Sequence, residues 1–349
     1  MLKINNPLIA ARGIPNPPPI SCMSPSIPAD NATFIGNLIV AGGALPANPP
    51  FEIHPYLGLA PLKNFEKYII GTFPPISYVN DHPAIVAAGI NIGGFRPPWI
   101  PFFHGNWGSM WNYLLTGPEY AALTAMPRIG RKPFLINFLT ENRINCSDII
   151  KTVQRRCYSP NDSDLFNICI NEDLICHILL NKSAKYLLFN TGSPLSSGGL
   201  KIHGILNPNG APGMVNVNVN TKSFDLFVRG CQEMGLTIEL RINLGAPATM
   251  FPWTPLAIAI PNMHNKVIFE MRISTNRMEE KCKGFSGSRE FTVITGPSPS
   301  QQATRGIVRN ANFIQFQAAN PGKNVSDFIR HIYQGFRFGP IINLYALNA

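Results

Sequence analysis

Short apolar runs that end in glycine, proline or asparagine are the feature of this sequence that most restricts its fold. Three of them, at 67–71, 185–192 and 291–295, are rich in β-branched and aromatic residues, as buried strands are. Segments with helical spacing separate or follow them, for example at 164–180 and at 326–336, and we expect Asn324 to Asp327 to cap the second of these helices. Strands that alternate with helices predict an α/β fold with a central parallel sheet and helices on both faces.

The composition is that of a folded protein. The chain has 349 residues, of which 45% are hydrophobic and 14% are charged. This balance excludes a disordered chain and leaves enough apolar side chains for a sizeable core. No apolar run reaches the roughly 18 residues of a membrane helix, and the N-terminus lacks the apolar region of a signal peptide. We therefore expect a cytoplasmic protein without a membrane partner.

Proline and glycine divide the chain into three parts. Residues 1–60 contain PNPPP and other proline clusters, which predict an extended N-terminal arm. Residues 61–349 carry the α/β pattern. An insertion at about 193–289 interrupts this domain, because turn residues there surround short alternating runs such as VNVNVN at 215–220. We expect the insertion to be partly β.

The seven cysteines are an odd number and contain no CxxC pair, so scattered reduced thiols are the favoured interpretation. Four of them lie in one stretch, namely Cys146, Cys157, Cys169 and Cys176. A metal or iron–sulfur site at these four is the alternative. We predict no metal and no cofactor.

Basic residues exceed acidic residues by ten. The segments 128–156 and 289–337 carry net charges of +5 and +4 and account for most of this excess. Such segments favour a polyanionic partner, and we predict DNA, bound at a site that both segments flank.

An aromatic segment and a proline-rich loop hold the candidate site residues. In FFHGNWGSMW at 102–111, flat rings beside imidazole and amide groups suit a pocket that stacks a nucleobase. The alternative is that the apolar side chains of this region belong to the core, which we favour for Trp111 and, just after the segment, Leu114. In GPSPSQQATRG at 296–306, hydroxyl and guanidinium groups suit a phosphate. The alternative there is an ordinary turn.

Together, GTFPP at 71–75, the segment 102–111 and FTVITGPSPSQQATRG at 291–306 resemble the uracil-DNA glycosylase superfamily. The mismatch-specific and hypoxanthine-DNA glycosylase branches are the nearest. The resemblance covers roughly 62–192 and 289–338. It implies a three-layer α/β/α domain that flips a base out of DNA and hydrolyses the bond between base and sugar, which leaves an abasic site.

The resemblance also implies roles for particular residues. In many branches the first Gly/Pro loop bears an Asp or Asn that positions the attacking water, and Phe73 stands at that place here. We expect Asn106, or alternatively His104, to replace it. The second loop lacks the histidine of many branches, and Arg305 is the nearest cation. The predicted site is catalytic Asn106, His104 and Ser298; base-binding Phe73, Phe103 and Asn190; and phosphate-binding Gly71, Thr72, Ser300, Arg305 and Arg155.

Two interpretations of the function stay open at this point, and a structural or assembly protein of a virus or phage, suggested by the abundant Asn and Pro, is a third and more distant one. One is an active glycosylase for a damaged, deaminated or modified base, such as a bulky base of phage DNA, with the insertion at 193–289 shaping the pocket. The other is a catalytically inactive DNA-binding protein with the same fold, which Phe73 favours. Asp148 precedes an apolar run at 149–153 and is interpreted as the N-cap of a helix.

Overall fold

The structure is a computed structural model that describes residues 52–74, 99–105, 110–155, 165–190, 223–242, 252–255, 267–275, 282, 284–297, 307–339 and 344. The strands in these ranges are β1 Glu52–Ile53, β2 Lys67–Gly71, β3 Ile144–Asp148, β4 Ile150–Arg155, β5 Leu165–Ile170, β6 Tyr186–Phe189, β7 Thr237–Arg241, β8 Thr254–Pro255, β9 Ile268–Thr275 and β10 Gly287–Thr295. The helices are α1 Trp111–Leu114, α2 Gly117–Ala125, α3 Arg128–Glu141, α4 Glu172–Leu180, α5 Ser223–Glu233, α6 Ala311–Ala319 and α7 Val325–Phe338.

The main sheet has the strand order β3-β2-β6-β10-β9-β7-β8. The first four strands are parallel, and the remaining three join β10 in antiparallel pairing. The predicted α/β class is confirmed, and β2, β6 and β10 contain the three predicted strands. Strands β7, β8 and β9 come from the predicted insertion and extend the same sheet. The domain boundaries themselves stay a prediction.

Successive side chains of the parallel strands point to opposite faces of the sheet, so the core has two parts. Tyr68 and Ile70 of β2 pack into one buried cluster with apolar side chains of α4 and α5. Ile69 lies in a second cluster with side chains of α1, α3, α6 and α7. Helices therefore pack on both faces, as the strand pattern predicts. None of the helices in the described ranges is long and apolar enough to cross a bilayer.

Residues 148–153 form strands instead of the predicted helix, because β3 ends at Asp148 and β4 begins at Ile150. The polar pair Ser147-Asp148 before an apolar run imitates a helix start, which explains the error. The predicted helix 164–180 is a strand, β5, followed by α4, with Asn171 as the N-cap. The predicted cap at Asn324 is confirmed, since Asn324 and Asp327 form a capping box.

A second, three-stranded sheet of order β1-β4-β5 adjoins the carboxyl edge of the main sheet. The amides of Ile149 and Ile150 donate to the carbonyls of Gly71 and Thr72, so β4 leaves the main sheet just beyond the end of β2. Strand β1 pairs with β4. The end of the predicted N-terminal arm is therefore built into the domain from residue 52; residues 1–51 lie outside the described residues.

The cysteine prediction is wrong for three residues. Cys176 of α4 forms a disulfide with Cys282, whose Cα lies 5.1 Å away although 106 residues separate the two in sequence. Cys169 is also disulfide-bonded. Neither Cys169 nor Cys176 is then a free thiolate for the alternative iron–sulfur site. Within the described ranges, Cys146 and Cys231 are buried free thiols.

Candidate functional site

The carboxyl ends of the four parallel strands place four residues in one row. Gly71 is in register with Asp148, and the pairings of Ile70 and Thr295 with Phe189 align Gly71, Asn190 and Gly296. Neighbouring strands lie about 4.8 Å apart, and residues two positions apart share a face. The four positions therefore point to the face of Ile69, Leu188 and Ile294. We call Asp148, Gly71, Asn190 and Gly296 the edge row.

Asp148 is buried and paired with a histidine. Its Oδ2 lies 2.8 Å from Nε2 of His54, and the two side chains are 4% and 0% exposed. The backbone amide of Tyr56 donates to Nδ1 of His54, so the ring proton is on Nε2 and is donated to the carboxylate. These two hydrogen bonds fix both the tautomer and the orientation of His54.

The other oxygen of Asp148 faces a second histidine. Nε2 of His104 lies 3.8 Å from Asp148 Oδ1, which has no hydrogen-bond partner in the described part of the chain. Nδ2 of the fully buried Asn190 lies 2.8 Å from the same His104 nitrogen. The same amide nitrogen lies 3.2 Å from His104 Nδ1; since it can only donate and Nε2 is the nearer ring nitrogen, we assign Nε2 as the acceptor. We call His54, His104, Asp148 and Asn190 the edge cluster.

Gly71 provides the space that this arrangement needs. A Cβ on Gly71 would overlap Asp148 Oδ1 and lie 2.7 Å from Cε1 of His104. The carboxylate and the imidazole thus occupy the position of the missing side chain. A phosphate bound here would be repelled by the Asp148 carboxylate, so we now assign Gly71 to making room for that carboxylate.

The loop at 99–105 holds His104 in an uncommon backbone conformation, with φ of +51°. The amide of Ile100 donates to the carbonyl of Gly105, and the indole of Trp111 donates to the carbonyl of Phe103. Left-handed conformations of non-glycine residues persist where surrounding contacts hold them, and they are enriched at functional sites. Trp111 is fully buried, which confirms its predicted place in the core.

The side chain of Asn171 fixes the carboxyl end of β3. Its side-chain amide donates to the carbonyl of Asp148, while its side-chain oxygen accepts from the amide of Leu174 at the start of α4. The same residue therefore caps a helix and fixes the backbone that carries the carboxylate.

Burial lowers the pKa of His104, and His54 lowers it further, while the Asp148 carboxylate partly opposes the shift. His104 is therefore neutral at pH 7. Asp148 Oδ1, 3.8 Å from His104 Nε2, can accept from one O–H of a water molecule, and the single lone pair of Nε2 can accept from the other O–H when the Asn190 amide turns away. Such a pair can also accept a proton and stabilise a developing positive charge.

The two predicted base-binding phenylalanines pack around His54. Phe73 meets the His54 ring edge-on at 5.3 Å, and Phe103 lies tilted against it at 5.3 Å. Both phenylalanines are buried, as is Thr72. These contacts hold His54 in place; a stacking role for either ring stays a prediction.

The structure brings together three of the predicted site residues, namely Gly71, His104 and Asn190. Four others, Asn106, Ser298, Ser300 and Arg305, lie outside the described residues, and only the backbone of Arg155 is described, in β4. His54 and Asp148 are the two residues that sequence reasoning missed as functional. Asp148 carried no distinct signal, because the residues at 144–147 (INCS) are mostly polar and the apolar run follows it instead. His54 carried none.

The expectation that both basic segments flank the site is wrong for Arg289 and Arg337. Arg289 donates to backbone carbonyls at the end of α4. Arg337 pairs with Glu119 at 2.6 Å, and its carbonyl accepts from Nζ of Lys67, the first residue of β2. Both arginines therefore lie at the amino edge of the sheet, opposite the edge row. Arg131 lies nearer the site, but its guanidinium also donates to backbone carbonyls, those of Trp99 and Met126.

Comparisons with protein-family models, with curated proteins and with solved structures find no match for this chain. Within the described ranges, no group of three or more His, Cys, Asp or Glu side chains is arranged to hold a metal ion. The chemistry of the site is therefore argued from the edge cluster itself.

Proposed function

We propose that the protein is a DNA glycosylase whose edge cluster hydrolyses the bond between a flipped base and its sugar. One observation carries the proposal: the buried Asp148 carboxylate is held by His54, and its other oxygen, beside His104 and Asn190, has no hydrogen-bond partner among the described residues. The cluster lies beyond the ends of β3, β2 and β6. The strand order reverses its direction between β2 and β6, and open α/β sheets bind ligands at such a point.

In the proposed reaction, the side chains of the edge cluster have separate roles. The bond between C1′ and the base nitrogen breaks, and its electron pair leaves with the base. Asp148 stabilises the positive charge on the sugar, while a water held between Asp148 Oδ1 and His104 Nε2 attacks C1′. His104 Nε2 accepts the proton that the water loses and returns it through solvent to the base anion, so the products are an abasic site and the free base, and His104 is neutral again.

The proposal also accounts for Phe73. In the family that the sequence resembles, the first loop supplies the residue that places the water. Here the space above Gly71 is occupied by the Asp148 carboxylate from the neighbouring strand. We infer that β3 supplies the acidic group that the first loop lacks. The predicted role of Asn106 in positioning the water remains open.

Asn190 is proposed to bind the flipped base. It is fully buried, its amide nitrogen is engaged by His104, and its Oδ1 has no hydrogen-bond partner in the described chain. A free carbonyl oxygen accepts from an N–H or amino group of a base edge. Damaged, deaminated and bulky modified bases all remain candidates.

Three further parts of the proposal concern architecture and location. The two core clusters support a three-layer α/β/α domain, to which residues 1–60 add a proline-rich arm. DNA is the proposed partner. A cytoplasmic location stays a prediction; disulfides persist mainly in oxidising compartments, so such a compartment is the alternative to examine.

A glycosylase-fold protein that binds DNA without cleaving it is the second candidate. Phe73 favours it, because a phenylalanine side chain cannot position the attacking water. The test uses duplexes that contain uracil, hypoxanthine or bulky modified bases, incubated with the protein and then treated with alkali. Strand breaks at one base identity support hydrolysis. Salt-dependent binding without breaks supports the second candidate, with log K falling by about 0.9 per phosphate contact against log salt. Absence of both binding and breaks contradicts both candidates.

A further inference from the structure

Basic side chains gather at the amino edge of the main sheet, opposite the edge row. The first residues of β2, β3 and β6 are in register, so the residues just before them, Glu66, Arg143 and Lys185, stand side by side. The amide of Lys185 donates to the carbonyl of Glu66. Neighbouring strands lie about 4.8 Å apart, so the backbones of Arg143 and Lys185 are about 10 Å apart, on either side of Glu66.

Phe65 lies at the centre of this surface. The centroid of its half-buried ring lies 5.6 Å from Nζ of Lys63 and 5.8 Å from the guanidinium of Arg143. The carbonyl of Phe65 accepts from the side-chain amide of Asn181 at 2.7 Å, which brings the next residue, Lys182, to the same edge. We call Lys63, Phe65, Arg143, Lys182 and Lys185 the amino-edge patch.

The four cations of the amino-edge patch are exposed, and the ion pairs among the described residues include none of them. Nearby charges are already matched, since Arg337 pairs with Glu119 and Glu66 lies beside the ammonium of Lys67. Glu141, which ends α3, is a nearby carboxylate without an ion pair in the same part of the chain. Four cations against one carboxylate leave a positive surface, which favours a polyanion.

The backbone of Arg143 is held in a conformation that arginine rarely adopts. Its φ is +54°, and it follows Asn142, the C-cap of α3. Helices commonly place a glycine at this position, because other residues are strained there. Within the described ranges, the other non-glycine residue with a positive φ is His104 of the edge cluster. An arginine at a glycine position indicates that its side chain has a use.

We propose that the amino-edge patch binds a single strand of nucleic acid. Such surfaces combine cations that follow the phosphate backbone with an aromatic ring on which a base stacks. The four cations contact phosphates, and Phe65 stacks on a base, whose face is accessible in a single strand and covered in a duplex.

The patch and the edge cluster lie at opposite ends of the parallel strands. Strand β2 between them has five residues, a length of about 17 Å. A single strand at the patch therefore leaves the edge cluster free for a substrate duplex. The inference goes beyond the proposed function and does not depend on base release.

The test follows the binding of a labelled oligothymidylate to the full-length protein by fluorescence anisotropy at several salt concentrations. A slope of about 0.7 per phosphate contact makes each contact worth about fivefold in affinity at 0.1 M salt. The double variant Lys182→Ala, Lys185→Ala should therefore bind about 25-fold more weakly, with a salt slope lower by about 1.4. Lys323→Ala is the control, because it removes an exposed cation just before α7, at the end of that helix opposite Arg337. Its affinity should equal that of the parent.

Two single variants separate charge, stacking and fold. Arg143→Gly should weaken binding about fivefold, while the thermal midpoint stays unchanged or rises because glycine relieves the backbone strain. Phe65→Leu keeps every charge, so it should weaken binding about fivefold or more without changing the salt slope.

The inference is overturned if oligothymidylate does not bind, or if Lys323→Ala weakens binding as much as the patch variants do. Equal displacement of the strand by an undamaged duplex or by polyglutamate would also overturn it, since either would assign the patch to another polyanion. Base release from duplex DNA is measured on the same samples and should be parental in the patch variants. Absence of base release from every sample, the parent included, would reject the proposed function and leave this inference standing.

Discussion

Replacing Gly71 by alanine should displace Asp148 and His104 from their positions in the edge cluster. The added Cβ overlaps Asp148 Oδ1 and lies 2.7 Å from His104 Cε1, so the carboxylate has to move away from His54. Loss of that charge-assisted hydrogen bond costs about 1.5–3 kcal/mol, and overpacking adds about 1–3 kcal/mol. We expect Gly71→Ala to lower the free energy of unfolding by about 2.5–6 kcal/mol and to abolish base release.

Gly296→Ala is the matched control, because it lies in the same edge row two strands away. Its nearest atoms would be 3.4–3.6 Å from the new Cβ, so its stability should stay within about 1 kcal/mol of the parent. Thermal unfolding followed by circular dichroism compares the two variants, and Gly71→Ala should melt roughly 5–15 °C lower. Equal midpoints for the parent and Gly71→Ala would refute the packing described for Asp148 and His104.

Three further outcomes are expected. Replacing Cys176 and Cys282 by alanine should lower the free energy of unfolding by about 2–5 kcal/mol, since the disulfide closes a separation of 106 residues; a midpoint equal to that of the oxidised parent contradicts this. Burial lowers the pKa of His104, His177 and His331, so the unfolded chain binds more protons and stability should fall as the pH drops below about 6.5. Urea midpoints between pH 5 and 8 test this, with His104→Asn expected to flatten the decline and a pH-independent midpoint counting against it. His104→Ala should reduce base release about 10²-fold while salt-dependent DNA binding persists; parental rates in both His104→Ala and Asn106→Ala would show that another group holds the water.

Local pattern was enough to predict the central strands and the last helix. The runs around Ile69, Leu188 and Ile294 are short, apolar and bounded by turn residues, and each is a strand of the main sheet. The Asn324 cap has the hydrogen-bonding groups that a helix start requires. The class of fold therefore follows from the sequence, and so does the edge of the sheet at which we propose that a ligand binds.

The edge cluster itself depends on contacts that no local pattern contains. His54 lies in a proline-rich segment 94 residues before its partner Asp148, and only the pairing of β1 with β4 brings the two together. Asp148 precedes residues that are compatible with a helix or a strand. The charge count likewise does not show which carbonyl or carboxylate groups an arginine binds within the protein, so the structural roles of Arg289 and Arg337 were not predictable.

The most direct test of the central claim is base release by Asp148→Asn. The asparagine keeps the shape of the side chain, and its Oδ1 can still accept from His54, so the variant should fold and bind DNA as the parent does. It lacks the negative charge that stabilises the sugar cation and helps to orient the water.

The measurement is a single-turnover cleavage assay on the duplex that the parent processes best, with DNA affinity determined on the same samples. The account predicts a loss of base release of about 10²-fold or more with unchanged affinity. Parental cleavage by a folded Asp148→Asn protein would contradict it.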